Sequence, residues 1–462
     1  MSKLPKYLQG GTTVIFEPEI ETMEHDALVE LQSARLREVV STVYERVPYQ
    51  RERLDAAGVK PSDISGVSDL WKLPFTRKSD LRDTYPFGLF AKERGELLRI
   101  HASSGTTGKP TVVGYTSGDL EVFGKVCARA LAGGGGRRGM LLHNAYGYGL
   151  FTGGLGIHQG GEALGMIVVP ASTGMTERQV KLIMDFGAEV LCCTPSYALT
   201  ISREFAKQGI EPCEIPLQYA LVGAEPWTET MRAEIDSSLG VKSVNIYGLS
   251  EIIGPGVSFE CVEERHGSHI NEDHFLAEVV DPDTGAVLPD GEEGVLVITT
   301  LTKEALPLIR YWTGDITSLD RSRCSCGRTL TRMTGVKGRT DDMLIIRGVN
   351  VYPTQIEAAL GRVGALAPYY RLLVDRSGTL DQLEVEAELS KEVFAEITSD
   401  FLSEEIVEAD QLLRSVKEDA QRAIRDNVGI SARVTLLEPD RLPRSEGGKS
   451  QRVVDKRKVL AG

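Results

Sequence analysis

Between Val112 and Tyr247 short apolar strands alternate with helical stretches, and this alternation limits the fold more than any other feature of the chain. Strand-like runs fall at Val112–Tyr115, Met140–His143, Met166–Val169, Val190–Cys193, Tyr219–Val222 and Ser243–Tyr247. Helical patterns lie between them at Ser117–Ala132, Thr176–Phe186, Tyr197–Lys207 and Pro226–Leu239. Repeated strand–helix–strand units need crossovers, which produce a largely parallel sheet with helices on both faces. Ligands of such sheets bind at the carboxyl ends of the strands. Ser117 is a candidate N-cap, and Thr176 with Gln179 has the spacing of a capping box.

The flanking regions read differently. Leu28, Leu31, Leu36, Val39, Val40 and Val43 recur at helical spacing within 24–47, and a second short helix follows over Tyr49–Gly58. After Phe275 the pattern becomes antiparallel and β-rich: Phe275–Val280, a turn at Asp281-Pro282-Asp283-Thr284-Gly285, then Gly294–Leu301. From Asp341 onward short strands, a helix from Thr354 and a long helix over Glu404–Asn427 make a compact α+β unit. The expected fold class is therefore α/β, with a large N-terminal domain of mostly parallel sheet plus a β-rich section, residues 1–340. A smaller α+β domain follows, residues 341–462. A chain of 462 residues is long enough for both.

A formal charge of -14, from 52 Lys+Arg against 66 Asp+Glu, argues against nucleic acid or an anionic membrane as the main partner. No apolar run reaches bilayer-spanning length, so a cytoplasmic address is the default expectation. Sequence leaves a homodimer open.

Ser103-Ser104-Gly105-Thr106-Thr107-Gly108-Lys109-Pro110 joins two glycines to four hydroxyls and a lysine. Such a loop can turn successive N–H groups toward one anion, which suits the phosphates of a nucleotide, although Ser, Thr and Gly also cluster in ordinary surface turns. The spacing is not that of the Walker loop, and Gly447-Gly448-Lys449-Ser450 fails that pattern too, because Pro443 stands where its first glycine belongs.

The seven cysteines are scattered and odd in number, so reduced thiols are expected. Cys127, Cys192, Cys193 and Cys213 read as small buried hydrophobes. Cys261, Cys324 and Cys326 with His266 or His269 could complete a closed, structural zinc set, or could be ordinary free thiols.

The glycine-rich loop, Tyr247-Gly248-Leu249-Ser250-Glu251, Tyr311-Trp312-Thr313-Gly314-Asp315, Gly338-Arg339-Thr340-Asp341-Asp342 and Gly448-Lys449 occur in an order that resembles the motif set of the adenylate-forming superfamily. Within it, Tyr146–Gly154, Gly223-Ala224-Glu225-Pro226-Trp227 and Leu344–Val351 are similar to the phenylacetate-CoA ligase family. The similarity runs from about Leu70 to the C-terminus.

That resemblance implies an ATP-dependent aryl-acid CoA ligase working through an acyl-adenylate, with ATP, Mg²⁺ and CoA as its partners. Ser104, Gly105, Thr106, Thr107, Gly108 and Lys109 would hold β- and γ-phosphates, with Thr106 near the chemistry. Glu251 would ligate Mg²⁺, Asp315 would bind ribose, and Arg339 would bind ribose or phosphate. Gly223, Ala224 and Glu225 would line adenine, with Tyr247 and Gly248 beside the nucleotide. Lys449 would catalyse the first half-reaction. Asp341 would be a hinge that withdraws it and brings Gly348 to the acyl-adenylate. Tyr146, Phe151 and Pro255 would enclose the aryl ring, unless they are merely core. Ile157 and Gln159 stand where larger aromatic residues are common, which would suit a polar substituent, and Trp312 stands where arginine is usual. An enzyme handing the acyl group to a carrier protein or amine fits the same motifs. So does a nucleotide-binding regulator that lost the chemistry.

Overall fold

A computed structural model describes residues 14–103, 110–340, 344–347, 349–377, 380–397, 401–443 and 452–458. Two compact units emerge: residues up to Ala224 together with Ile235–Gly335, and Glu225–Glu234 together with residues from Val336 onward.

The first unit opens with α1 (Pro18–Glu21), α2 (His25–Arg46) and α3 (Pro48–Ala56). Leu28, Leu36, Val39, Val40 and Val43 form the buried stripe of α2. Pro48 ends the run and restarts it, since proline is tolerated at the first position of a helix but not inside one. After α4 (Lys78–Asp83), strands β1 (Arg99–Ser103) and β2 (Thr111–Tyr115) pair antiparallel from Arg99↔Tyr115 to Ser103↔Thr111. Ser103 and Thr111 are thereby held side by side.

Helix α5 (Ser117–Gly133) follows, capped one residue earlier than its sequence indicates. Thr116 is the N-cap and forms a capping box with Asp119, each side chain engaging the other's backbone N–H at 3.1 and 3.0 Å. Strand β3 (Leu141–Asn144) leads to α6 (Gly153–Leu164), β4 (Ile167–Val169), α7 (Thr176–Phe186), β5 (Val190–Cys193), α8 (Pro195–Lys207), β6 (Tyr219–Gly223), α9 (Glu229–Leu239) and β7 (Lys242–Leu249). The capping box expected at Thr176 is absent. Met175 is the N-cap at φ 52°, and the Gln179 amide donates instead to the carbonyls of Ser172 and Gly174, both at 2.8 Å.

These strands, with β8 (Gly254–Phe259), β9 (Ser268–Ile270), β13 (Leu319–Asp320) and β14 (Arg332–Met333), form a nine-stranded sheet of order β13-β14-β9-β8-β7-β6-β5-β3-β4. It is parallel from β4 to β7 and antiparallel beyond. Residues 190–193 of β5 are buried on both faces, as a covered parallel strand requires. Strand β3 is flanked by β4 on one side and β5 on the other, so the chain reverses direction across the sheet there. In open parallel sheets such a reversal is where ligands bind, here at the carboxyl ends of β3 and β5. A second, antiparallel sheet contains β10 (Phe275–Val280), β11 (Gly294–Thr300) and β12 (Tyr311–Thr317).

Helices α5 and α6 pack unusually close. A Cβ on Gly156 would lie 2.2 Å from Phe123 Cζ, and one on Gly160 would lie 2.4 Å from Cys127 Cβ. A side chain at Gly156 or Gly160 would push the two helices apart.

The second unit contains β15 (Gly338–Arg339), the β16 (Leu344–Ile346) and β17 (Val349–Val351) hairpin, α10 (Pro353–Leu360), β18 (Leu366–Ser377), β19 (Leu380–Leu389), α11 (Lys391–Ala395), α12 (Glu404–Ala409), α13 (Gln411–Val428), β20 (Arg433–Leu437) and β21 (Val453–Asp455). Its four-stranded sheet runs β20-β19-β18-β21. The helix expected over Glu404–Asn427 is two helices, because the Asp410 carboxylate caps the N–H groups of Leu412 and Leu413 at 2.8 and 3.1 Å and starts a new one. Leu413, Val416, Ala420 and Ile424 then pack into one core with Leu372, Val374, Val385 and Ala387. Among the described residues no helix is long and apolar enough to cross a membrane.

Candidate active site

The motif residues of the first unit gather at the carboxyl ends of β6 and β7. Ala224, directly after β6, has φ +70°, so the backbone turns sharply out of the sheet. A Cβ on neighbouring Gly223 would lie 2.1 Å from the Ile246 carbonyl oxygen of β7. In β7, Tyr247 donates its hydroxyl to Asp315 Oδ2 at 2.5 Å. Asp315 lies in β12 and is only 3 % exposed, so this bond sets the orientation of a nearly buried carboxylate. Asp315 N–H in turn donates to Thr313 Oγ1 at 3.0 Å.

Gly248 pairs with Pro255 across β7 and β8. A Cβ on Gly248 would fall 1.8 Å from the Gly254 carbonyl oxygen, so only glycine lets this tight β7–β8 bend close. Glu251 sits in that bend, 5 % exposed, with Lys78 Nζ 3.7 Å from its Oε1. The Ser250 and Thr152 hydroxyls meet at 3.2 Å, tying the β7–β8 bend to the start of α6.

Tyr146 lies two residues beyond β3, where the sheet order reverses. It is 3 % exposed and belongs to a core cluster with Ile157, Leu142 and Leu131. Phe151 is different: it is 40 % exposed, with its ring over Gly153, where a Cβ would meet Cε1 at 2.4 Å. The Gln159 side-chain carbonyl already accepts a hydrogen bond from Arg99 Nη1 at 2.9 Å, so its polarity is used within the protein. Below Tyr146, the Asn144 amide donates to Tyr148 Oη at 2.7 Å and to the Gly154 carbonyl at 2.8 Å. Burial pushes the Tyr148 phenol up to about 12.

Trp312 has a physical explanation that its motif context lacked. The Arg77 guanidinium stacks over its indole at 4.3 Å, and Phe75 meets it edge-on at 5.2 Å. An indole face attracts a cation, which an arginine at that position would repel.

Several residues were invisible to motif reading. Lys303 is buried with Nζ 3.4 Å from the centroid of the Tyr115 ring and 3.7 Å from Asp119 Oδ2. Burial, opposed by Asp119, pulls its ammonium down to about 8. Tyr115 stacks on Phe123, and its hydroxyl donates to the Ile253 carbonyl at 2.9 Å. A continuous series from Lys303 through Tyr115 and Phe123 thus braces α6 and the β7–β8 bend from beneath. Sequence spacing carries no sign of it, because its members are far apart in the chain.

The remaining expected residues divide in two. Arg339 and Glu225 belong to the second unit. There Arg452 is paired with Glu357, and Tyr370 donates to Glu357 Oε2 at 3.1 Å. Burial raises the Glu357 carboxyl above the usual range, Arg452 opposes this, and the Glu225 charge adds to it. Ser104, Gly105, Thr106, Thr107, Gly108 and Lys109, together with Asp341, Gly348 and Lys449, lie outside the described residues. Arg452, three positions after Lys449, anchors the entry to β21 through its buried pair with Glu357.

The four candidate zinc ligands do meet. Cys261, His269, Cys324 and Cys326 are all buried, with their ligand atoms within 4.8 Å of one another, and His269 rather than His266 is the histidine among them. Cys127, Cys192 and Cys193 are buried, as small hydrophobes would be. Cys213 departs from that expectation and is exposed, because it follows the end of α8 in a surface turn.

A parallel sheet with a glycine-lined turn after β6, a nearly buried carboxylate oriented on β12 and an acid in the β7–β8 bend is the arrangement the motifs call for in an AMP-binding enzyme. Comparison bears this out: the AMP-binding enzyme family matches residues 7–302, and the AMP-binding enzyme C-terminal domain matches 348–457. The chain belongs to the phenylacetate-CoA ligase family, a group of AMP-forming acid–CoA ligases. It is 62% identical to a phenylacetate-coenzyme A ligase of Thermus thermophilus over 445 residues, which cover 96% of this chain and 100% of that one. Identity to the phenylacetate-coenzyme A ligase of Escherichia coli K12 is 47% over 442 residues, 96% of this chain and 98% of the other. Among solved structures, 2-hydroxyisobutyryl-CoA ligase in the postadenylation state with an acyl-AMP matches at TM-score 0.87 and 26% identity, covering 97% of this chain and 93% of that one. The same ligase with 2-HIB-AMP and CoA in its thioesterification state matches at TM-score 0.69 and 27% identity, covering 96% and 94%.

Proposed function

We propose that this ligase activates phenylacetate or a closely similar aryl acid, first as the acyl-adenylate and then as the CoA thioester. The observation that carries the reading is the Gly248–Pro255 pairing, which sets a proline of the aryl-acid motif directly opposite the nucleotide motif in one sheet. Tyr146, two residues past β3 where the sheet order reverses, supports a flat, apolar acid, since an aromatic side chain there suits an aryl ring. So does the near full-length similarity to ligases named for phenylacetate.

A carboxylate attacks an already anionic phosphate poorly, so the protein must screen charge and hold the attack in line. In this proposal the 104–109 loop grips β- and γ-phosphates, Asp315 accepts hydrogen bonds from the ribose hydroxyls and Gly223-Ala224 lets adenine approach the backbone. Glu251 offers a nearly buried carboxylate oxygen, the donor a Mg²⁺ ion takes, and the bound ion would neutralise phosphate charge. Lys449 bridges the attacking carboxylate and the α-phosphate. Rotation about Asp341 then withdraws Lys449 and brings Gly348 toward the acyl-adenylate for thiol attack.

Two measurements test this. In a panel of acids with free CoA, phenylacetate and its near analogues should give AMP and thioester in equal amounts. Acid-dependent pyrophosphate release without CoA consumption would instead identify a carrier protein or amine as acceptor. Lys449→Ala should abolish adenylation yet leave thioester formation from supplied acyl-adenylate largely intact, and equal loss of both steps refutes the two-conformation scheme.

A further inference from the structure

We infer that Cys261, His269, Cys324 and Cys326 hold one zinc ion that locks a surface loop onto the sheet and onto α1. The four ligands come from three places in the chain: Cys261 just past β8, His269 on β9, and the Cys324-Ser325-Cys326 turn between β13 and β14. Cys261 Sγ lies 3.6 Å from Cys324 Sγ, and Cys326 Sγ lies 3.5 Å from His269 Nε2. Sulfurs at that separation are too far apart for a disulfide and close to the edge length of a tetrahedron around zinc. Three thiolates and one imidazole also leave no open position, which marks a structural rather than a catalytic ion.

The surroundings fit the ion as well as the ligands do. His269 Nδ1 faces the Leu330 carbonyl at 3.4 Å, which turns Nε2 inward as a metal-binding histidine requires. Backbone N–H groups of Glu264, Cys326 and Arg328 point at the sulfurs of Cys261, Cys324 and Cys326 respectively. Gly327, at φ +88°, allows the turn that presents them. Two positive charges against three thiolates leave the centre with one net negative charge. Arg328, buried beside Cys326, meets it: its Nε binds Glu21 Oε2 at 2.6 Å, while Nη1 has no hydrogen-bond partner among the described residues. The thiolates of the centre would supply the acceptor that Nη1 lacks, beside the Glu21 pair that already holds Nε. Through Arg328–Glu21 and the Thr329 contact to the Met23 carbonyl at 2.7 Å, the ion fastens α1 to the sheet.

The test is metal analysis of the full chain purified without chelator, independent of any ligase assay. Wild type should carry about one zinc per chain, and Cys324→Ser/Cys326→Ser should fall below about a tenth of that. The exposed-thiol control Cys213→Ser should keep its zinc. His269→Cys, which preserves a four-ligand set, should also keep it, guarding against loss through misfolding. Cobalt loaded in place of zinc should give the intense visible bands of a tetrahedral thiolate centre, and these should vanish in the double variant. Wild type that neither carries zinc nor takes it up, or that titrates Cys261, Cys324 and Cys326 as freely reactive thiols in its presence, overturns the inference.

Discussion

Removing one oxygen atom should show whether Tyr247 controls the orientation of Asp315. In Tyr247→Phe the ring keeps its place in β7, but Asp315 Oδ2 loses the donor now 2.5 Å away. A hydrogen bond to a charged group contributes about 1.5–3 kcal/mol, so its loss should weaken whatever Asp315 binds by about ten- to a hundredfold. If Asp315 holds the ribose, the effect falls on the KM for ATP in acid-dependent ATP–pyrophosphate exchange, with a smaller change in kcat. Melting temperature should change little, since the buried apolar surface is retained. The double-mutant cycle with Asp315→Asn makes the reasoning refutable. If Tyr247 contributes through Asp315, the double variant should be no worse than Asp315→Asn alone. Fully additive losses, or an unchanged KM for ATP in Tyr247→Phe, would refute it.

Acid should destabilise the first unit through His274. Burial pushes its imidazole down to about 4 against the pull of Asp273, with Arg129, Arg35 and Lys125 adding to the depression. The unfolded chain therefore binds the extra proton first: stability is lost as pH falls below about 6.5 and the loss is complete near pH 4, reaching about 3 kcal/mol. His274→Gln should flatten that part of the melting temperature–pH profile, and an unchanged slope would count against the assignment. Arg310→Met should cost about 3–5 kcal/mol, because it strands Glu278 after loss of a two-pronged contact at 2.9 and 3.0 Å and frees the Trp71 and Leu73 carbonyls. Urea unfolding followed by tryptophan fluorescence measures this. Arg310→Met/Glu278→Met should regain part of the loss, and a double variant as unstable as the sum of the singles would contradict the argument.

Local periodicity made the parallel sheet readable before any coordinates, since strand and helix alternation follows from side-chain spacing within a few residues. Where the expected caps Ser117 and Thr176 gave way to Thr116 and Met175, a side chain's choice among nearby backbone partners decided the outcome. Gln179 could have capped α7, but the Ser172 and Gly174 carbonyls claimed it. The ordered motifs likewise named Tyr247, Glu251 and Asp315, which the family resemblance assigns to phosphate and ribose.

Sequence alone thus determined the fold class, the adenylate-forming character and the set of side chains able to hold a metal. Tertiary structure decided which of those residues touch. It joined Tyr247 to Asp315 across 68 positions and Cys261 to Cys324 across 63. It also placed Lys303 over Tyr115 and Arg77 over Trp312. The physical reason is that hydrogen bonds, cation–π contacts and metal ligation act over a few ångströms, and only the packing of distant strands and loops sets those distances. A motif records the atoms a site needs; the fold alone supplies their separations.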